Sequence, residues 1–167
     1  MNALARLGMV SETPSENQTM AFSSAIEAGN EAGADRSAAE HSPAKDYFIE
    51  RDGVRFAGMH LLVDLWGAER LDDPSLIDAT LREAALAAGA TILHSHFHHF
   101  SPNGGVSGVV VLAESHISIH TWPERNYAAL DIFMCGACDP YQAIPLLKQA
   151  FGPDNVQVSE QRRGLVA

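Results

Sequence analysis

Apolar and polar positions divide the chain into two parts. Residues 1–45 are rich in Ser, Ala, Glu, Gly and Asn, contain a single aromatic residue (Phe22), and show neither a helical nor a strand period. Such a segment buries too little apolar area to offset the entropy that ordering it would cost. We therefore expect residues 1–45 to be a disordered N-terminal extension and residues 46–167 to form the folded domain.

Capping residues and apolar spacing predict two helices in the folded part. Asp73-Pro74 places an Asp at the N-cap and a Pro at the first helical position. Apolar residues then recur at helical spacing up to Gly89, a typical C-terminal stop. Asp139-Pro140 begins a second helix in the same way. Pro145 would kink that helix unless the helix proper starts near Gln142.

Six further segments have the length and pattern of β-strands. Residues 58–66 and 105–113 are short apolar runs, and Ile117 and Ile119 alternate with polar residues. In residues 127–135, alternate positions form one apolar face. The remaining strands are predicted at residues 90–97 and 155–160.

The predicted order of elements is β-α-β-β-β-β-α-β. It corresponds to an α+β fold, a two-layer sandwich of a mostly antiparallel sheet with two helices. The helices can cover only one face of the sheet. The other face carries Val109, Val111, Leu130 or their neighbours, which are too apolar to face water. We therefore expect the domain to pair as a homodimer.

Composition and charge narrow the possible functions. The chain has 11 Lys and Arg against 21 Asp and Glu, a formal net charge of −10. This charge argues against non-specific binding to nucleic acid or anionic membranes and favours cationic small molecules. No apolar run approaches the roughly 20 residues that cross a bilayer, and the start of the chain lacks a secretory signal pattern. We expect a cytoplasmic protein with a small-molecule substrate and no nucleic-acid or membrane partner.

Polar side chains are concentrated in residues 105–124, in and after an apolar strand. Buried polar side chains cost free energy unless they are hydrogen-bonded or used in chemistry. From the residues alone, two interpretations stay open: the side chains satisfy one another across a hairpin, or they form a catalytic site. The residues concerned are Ser107, Glu114, Ser115, His116, Ser118 and His120.

This run resembles the processing site of the bacterial and archaeal S-adenosylmethionine decarboxylase proenzymes, a pyruvoyl-dependent family. Three segments agree in order and spacing: Glu114-Ser115-His116, residues 120–124 (His-Thr-Trp-Pro-Glu) and residues 127–135. With Gly58-x-His60 and the segment around Phe100, the resemblance extends from Gly58 to the C-terminus.

The resemblance implies that the chain cuts its own backbone between Glu114 and Ser115. The Ser115 hydroxyl attacks the Glu114 carbonyl to form an ester, and β-elimination with hydrolysis then leaves a covalent pyruvoyl cofactor at the new N-terminus. The resemblance also implies that His120 and Ser107 assist this processing. The two fragments, residues 1–114 and 115–167, are expected to stay folded together.

For the mature enzyme, the resemblance implies decarboxylation of S-adenosylmethionine, which supplies spermidine synthesis. The pyruvoyl carbonyl forms a Schiff base with the substrate amine and withdraws electrons as CO2 leaves. Cys135 corresponds to the residue that returns a proton, Glu124 to a carboxylate that holds the ribose hydroxyls, and Phe100 to an aromatic ring that stacks on adenine. Pyruvoyl-dependent arginine or ornithine decarboxylases of the same superfamily are the alternative.

Strand geometry adds one expectation about processing. Ser115 and His120 are five residues apart, which in a regular strand places their side chains on opposite faces. If both act on the same bond, a bulge or bend must lie between them.

Two other patterns compete with this interpretation. His94, His96 and His98 would share one face of a strand, a frequent zinc arrangement, so a metal-binding module is a more remote alternative. No further ligand motif accompanies them, and no metal site is predicted. Cys135 and Cys138 have the C-x-x-C spacing of redox motifs, but no thioredoxin-like βαβ pattern precedes them.

Overall fold

The computed structural model describes residues 47–166, so the expected extension at residues 1–45 lies outside the described part. Eight strands and two α-helices follow one another in this part. They are β1 (Ile49–Arg51), β2 (Val54–Phe56), β3 (Gly58–Trp66), α1 (Pro74–Ala87), β4 (Ile92–His99), β5 (Val106–Leu112), β6 (Ser115–Trp122), β7 (Tyr127–Cys135), α2 (Ala143–Phe151) and β8 (Asn155–Arg163).

Strands β3 to β8 form one six-stranded sheet in the spatial order β4-β5-β6-β7-β3-β8. All neighbouring strands in it are antiparallel. The predicted α+β fold and the order β-α-β-β-β-β-α-β are therefore confirmed for this sheet and its helices. β1 and β2 form an additional hairpin, which the sequence did not reveal because strands of three residues are too short to show a period.

The core lies between the two helices and one face of the sheet. Alternate side chains of β7 point into it, as predicted, and each is at most 2 % exposed: Ala128, Leu130, Ile132 and Met134. Leu130 therefore belongs to the core and not to the opposite face, where it was also expected. The helices contribute Ile77, Leu81, Leu147 and Phe151.

The predicted capping residues begin both helical segments. The Asp73 carboxylate accepts hydrogen bonds from two backbone N–H groups of the first turn of α1, and Pro74 is the first helical residue. Asp139 caps a short 3-10 turn, after which α2 begins at Ala143. Pro145 thus lies in the first turn of α2, where its missing N–H removes no helical hydrogen bond.

We call the other side of the sheet the open face, because within residues 47–166 neither helix covers it. Four of its large apolar side chains are between 36 % and 44 % exposed: Leu62, Trp66, Val111 and Trp122. At one end, the Tyr127 ring stacks between Trp66 and Trp122 at centroid distances of 4.3 and 5.3 Å. No helix in the described part is long and apolar enough to span a bilayer.

Candidate active site

The predicted cleavage site lies in a two-residue hairpin loop between β5 and β6. Leu112 pairs with Ser115, so only Ala113 and Glu114 connect the two strands. Both loop residues are attached to the segment before β4. The Ala113 N–H donates to the Thr91 carbonyl (2.9 Å), and the Glu114 carboxylate accepts from the Thr91 N–H (2.8 Å). The loop is therefore held on the N-terminal side of the Glu114–Ser115 bond.

The backbone at Ser115 is strained. Its φ angle is +130°, a conformation that residues with a side chain rarely adopt and that costs of order 1–3 kcal/mol. This angle describes rotation about the N–Cα bond that directly follows the Glu114–Ser115 peptide bond. The strain is therefore stored beside the bond that the sequence predicts to be cut.

Both reacting groups of the predicted cleavage have hydrogen-bond partners. The backbone N–H of Cys135, at the end of β7, donates to the Glu114 carbonyl oxygen at 3.0 Å. The Ser115 Oγ lies 3.1 Å from His116 Nδ1. A donor on a carbonyl oxygen stabilises the negative charge that develops during nucleophilic attack, and a neighbouring base activates a hydroxyl.

His116 is surrounded by side chains from three neighbouring strands on the open face. Its ring meets the edge of Phe133 at 6.1 Å, and the guanidinium of Arg163 lies over the same Phe133 ring at 5.3 Å. Burial lowers the pKa of His116 from 6.5. The charges of His60 and Arg163 act in the same direction, whereas Asp131 opposes them. The imidazole is therefore neutral at pH 7 and has a nitrogen free to accept a proton.

A second group of predicted residues lies at the other end of β6. Ser107 and His120 are opposite each other in the pairing of β5 with β6, and Ser107 Oγ lies 2.6 Å from His120 Nδ1. With Phe100 and Glu124 they line a pocket of about 220 Å³. The rest of its lining is Asn103, Gly105, Thr121 and Trp122.

The prediction of a bulge or bend between Ser115 and His120 is wrong. β6 pairs with β5 and with β7 in unbroken register from Ser115 to His120, and the irregular backbone is confined to Ser115 itself. A rise of about 3.3 Å per residue therefore separates the two residues by about 16 Å along the strand. One chain alone does not bring the Ser107–His120 pair to Ser115.

The histidines of β4 are the ligands that the alternative of a metal-binding module would use. His94, His96 and His98 lie opposite Val111, Val109 and Ser107 on an edge strand. Between residues 47 and 166, no three His, Cys, Asp or Glu side chains are placed to hold a metal ion. This arrangement gives the alternative of a metal-binding module no support.

Cys138 does not have the environment of a reactive thiol. Its Sγ lies 3.5 Å from the Gly89 carbonyl oxygen. Burial, followed by the charges of Glu114 and Cys135, raises the pKa of Cys138. A thiol in such surroundings stays protonated and unreactive at neutral pH.

Three contacts at the cleavage site could not be predicted from the sequence. The N–H groups of Thr91 and Cys135 belong to the backbone, which every residue except proline provides, so no residue type marks them. His116 stood within the recognised motif, but an ordinary strand would direct it away from Ser115. Only the unusual φ of Ser115 makes that contact possible.

Comparisons with known proteins identify the family. Residues 59–164 match the family described as S-adenosylmethionine decarboxylase. An S-adenosylmethionine decarboxylase proenzyme of Thermomicrobium roseum is 41 % identical over 114 residues, which cover 68 % of this chain and 98 % of that protein. Proenzymes of the same name from two other organisms are each 48 % identical to this chain. The match to the Methanococcus vannielii protein covers 65 % of this chain and 91 % of that protein. The match to the Thermotoga maritima protein covers 66 % of this chain and 87 % of that protein.

A solved structure has the same fold. The adenosylmethionine decarboxylase of Aquifex aeolicus superposes with a TM-score of 0.61 at 37 % sequence identity, covering 67 % of this chain and 94 % of that one. The fold and the matched site define a pyruvoyl-dependent carboxy-lyase made as a proenzyme. The chain belongs to the S-adenosylmethionine decarboxylase family. The resemblance seen in the sequence and the expected pyruvoyl cofactor are thereby confirmed.

Proposed function

We propose that this chain cuts itself between Glu114 and Ser115 and then decarboxylates S-adenosylmethionine. The observation that carries the proposal is the 3.0 Å hydrogen bond from the Cys135 N–H to the Glu114 carbonyl oxygen. It polarises the carbonyl beside a strained Ser115, whose hydroxyl is the nucleophile.

The geometry suits an attack by Ser115 on the preceding carbonyl. As Oγ adds to the carbonyl carbon, negative charge develops on the oxygen that the Cys135 N–H contacts. Opening the adduct breaks the peptide bond and releases the backbone strain at Ser115. Meanwhile the Glu114 carboxylate stays bound to the Thr91 N–H. The loop therefore keeps its position while the ester replaces the peptide bond.

The residues around the hairpin also fit the cofactor that Ser115 would become. When present, a pyruvoyl group supplies a carbonyl that reacts with the substrate amine and accepts electrons as CO2 leaves. Cys135 is the last residue of β7, where it pairs with Gly58, and its backbone N–H contacts the Glu114 carbonyl at the cleavage site. We assign its thiol the role of returning a proton to the substrate.

The substrate is held at the pocket around Ser107 and His120. Phe100 offers an aromatic face for adenine, and Glu124 offers a carboxylate for the ribose hydroxyls; both line this pocket. The alternative substrates, arginine and ornithine, have neither a base to stack nor a ribose to hold. The relatives compared above are all named for S-adenosylmethionine.

The active enzyme is a homodimer joined through the open face. Ser115 lies about 16 Å from the Ser107–His120 pair along β6. The pocket of about 220 Å³ is smaller than the roughly 300–1,000 Å³ of complete ligand sites. A second copy packed on the exposed Leu62 and Trp122 side chains would remove this apolar surface from water. It would also place the Ser107–His120 pair of one chain against the β5–β6 hairpin loop of the other.

Intact-mass measurement with a carbonyl-reactive hydrazine tests self-cleavage. The purified chain should consist of fragments 1–114 and 115–167, and the second fragment should react with the hydrazine. Ser115→Ala should remain one unreactive chain. A panel of S-adenosylmethionine, arginine and ornithine, followed by CO2 release, then tests the substrate. An active preparation made of one uncut, unreactive chain would contradict the proposal.

A further inference from the structure

We infer that His116 takes the proton from the Ser115 hydroxyl when that hydroxyl attacks the Glu114 carbonyl. The inference rests on the proposed self-cleavage and assigns a catalytic role to a residue that has none so far. Its basis is the 3.1 Å contact between Ser115 Oγ and His116 Nδ1, which is within the reach of a general base.

The strained backbone of Ser115 makes this contact possible. In a regular strand, the side chains of consecutive residues point to opposite faces of the sheet, so Ser115 and His116 would not meet. With a φ of +130°, Ser115 departs from that alternation and its hydroxyl reaches the ring of its neighbour. The same distortion that stores strain beside the peptide bond therefore also supplies the nucleophile with a base.

The surroundings of His116 keep its ring available. The titratable and charged groups that face it are His60 on β3, Asp131 on β7 and Arg163 on β8. Asp131 is already hydrogen-bonded to His60 at 3.2 Å and to Ser118 at 3.4 Å, so it is not the direct partner of His116. Burial, together with the positive charge of Arg163, favours the neutral imidazole, which can accept the proton.

His120 is placed for a different step. Within one chain it lies about 16 Å further along β6, and its Nδ1 is occupied by Ser107 at 2.6 Å. It can reach the cleavage site only from the partner chain of a dimer. We therefore assign His116 to ester formation and His120 to the later removal of the Ser115 α-proton.

The step assigned to His116 is balanced without any co-reactant. A bond forms between Ser115 Oγ and the Glu114 carbonyl carbon, and the bond from that carbon to the Ser115 nitrogen breaks. The hydroxyl proton passes to His116 Nδ1 and then to the departing nitrogen, which becomes a free amine. The product is an ester isomer of the original chain.

Hydroxylamine distinguishes the two histidines, because it cleaves esters but leaves amides intact. His116→Ala and His116→Gln should self-cleave about 100-fold or more slowly, the scale of a lost general base, and should resist hydroxylamine. His120→Ala should instead accumulate an ester that hydroxylamine cuts. His94→Ala, an exposed histidine of β4, is the matched control and should behave as the wild type. Added imidazole should restore cleavage of His116→Ala in proportion to its concentration.

Two results would overturn the inference. One is cleavage of both His116 variants at the wild-type rate, and the other is accumulation of hydroxylamine-sensitive ester in them. If His116→Ala does not fold by circular dichroism, His116→Gln decides, because it keeps the side-chain volume and a polar end. A wild-type chain that never cuts contradicts the proposed function itself, whereas normal cutting in the variants contradicts only the role of His116.

Discussion

The backbone N–H of Cys135 donates a hydrogen bond of 3.0 Å to the carbonyl oxygen of Glu114. The main chain of this residue thus contacts the bond that we propose is cut, and its thiol is the proton donor that we propose for the later reaction. The two roles use different atoms, so mutation of the side chain can separate them.

Cys135→Ala should therefore self-cleave but decarboxylate poorly. The backbone N–H remains in the variant, whereas the proton donor is lost, and turnover should fall about 100-fold or more. Cleavage is followed by gel and CO2 release by radiometry. Cys138→Ala is the matched control, since its protonated thiol only approaches the Gly89 carbonyl, and it should retain near wild-type turnover. Equal turnover in the two variants would remove the proton-donor role from Cys135.

Mixed dimers should rescue processing if each site is shared between two chains. Ser115→Ala has no nucleophile, and His120→Ala alone should not complete cleavage. In a mixed dimer, one of the two sites combines the intact Ser115 of one chain with the intact His120 of the other. Coexpression of differently tagged variants should therefore yield cut His120→Ala chains and uncut Ser115→Ala chains. Absence of any cut product would argue that each chain processes itself alone.

Glu114→Gln should slow self-cleavage about 10-fold without unfolding the protein. The carboxylate holds the loop through the Thr91 N–H, and a hydrogen bond to a charged acceptor is stronger than one to an amide by about 1–1.5 kcal/mol. The rate of fragment appearance after translation measures the effect. Glu83→Gln, an exposed position on α1, serves as the control. An unchanged rate in Glu114→Gln would show that the hydrogen bond between the Thr91 N–H and the Glu114 carboxylate does not assist the reaction.

The free energy of unfolding should depend on His116 below neutral pH. Its pKa in the folded protein is lower than 6.5, so the unfolded chain binds more protons between the two pKa values. The contribution of His116 to the free energy of unfolding is therefore fully present above about pH 6.5. It is lost as the pH falls through the pKa that His116 has in the folded protein. Urea unfolding of the uncut Ser115→Ala chain, with and without His116→Gln, should give a smaller loss on acidification for the double variant.

Thr121→Val should destabilise the fold by about 2–4 kcal/mol, because two buried polar groups lose their partner. The Thr121 hydroxyl accepts from the Val106 N–H and donates to the Leu71 carbonyl oxygen, both at 2.7 Å. Valine keeps the shape but satisfies neither group. Urea unfolding measures the loss, and the exposed Thr91→Val should differ from wild type by less than about 0.5 kcal/mol.

The parts of the fold that follow a residue pattern were predicted correctly. The apolar alternation of β7 and the Asp-Pro helix starts are local patterns, and the structure has the predicted strand and helices at these positions. The last strand extends to Arg163, beyond the predicted end at residue 160, because its final residues are polar and so leave no apolar period. The sequence is informative where burial selects the side chain.

The sequence names residues for the candidate site but does not predict their arrangement. A motif identifies Ser115 and His120, yet their separation depends on whether β6 is regular, which is decided by its pairing with β5 and β7. The unusual φ of Ser115 likewise occurs where a two-residue loop, attached to the distant Thr91, meets β6. Such long-range constraints act on the backbone and leave no mark on the residue types.

The strand order has a consequence for how this enzyme is made. With the proposed cut between Glu114 and Ser115, the first fragment supplies β3, β4 and β5 and the second supplies β6, β7 and β8. The sheet nevertheless runs β4-β5-β6-β7-β3-β8. The two products are interleaved, with a hairpin of one inserted between strands of the other. Folding must therefore precede cleavage. After denaturation, the cleaved enzyme can refold only by a bimolecular association of its two fragments, whereas the uncut chain folds in a unimolecular reaction.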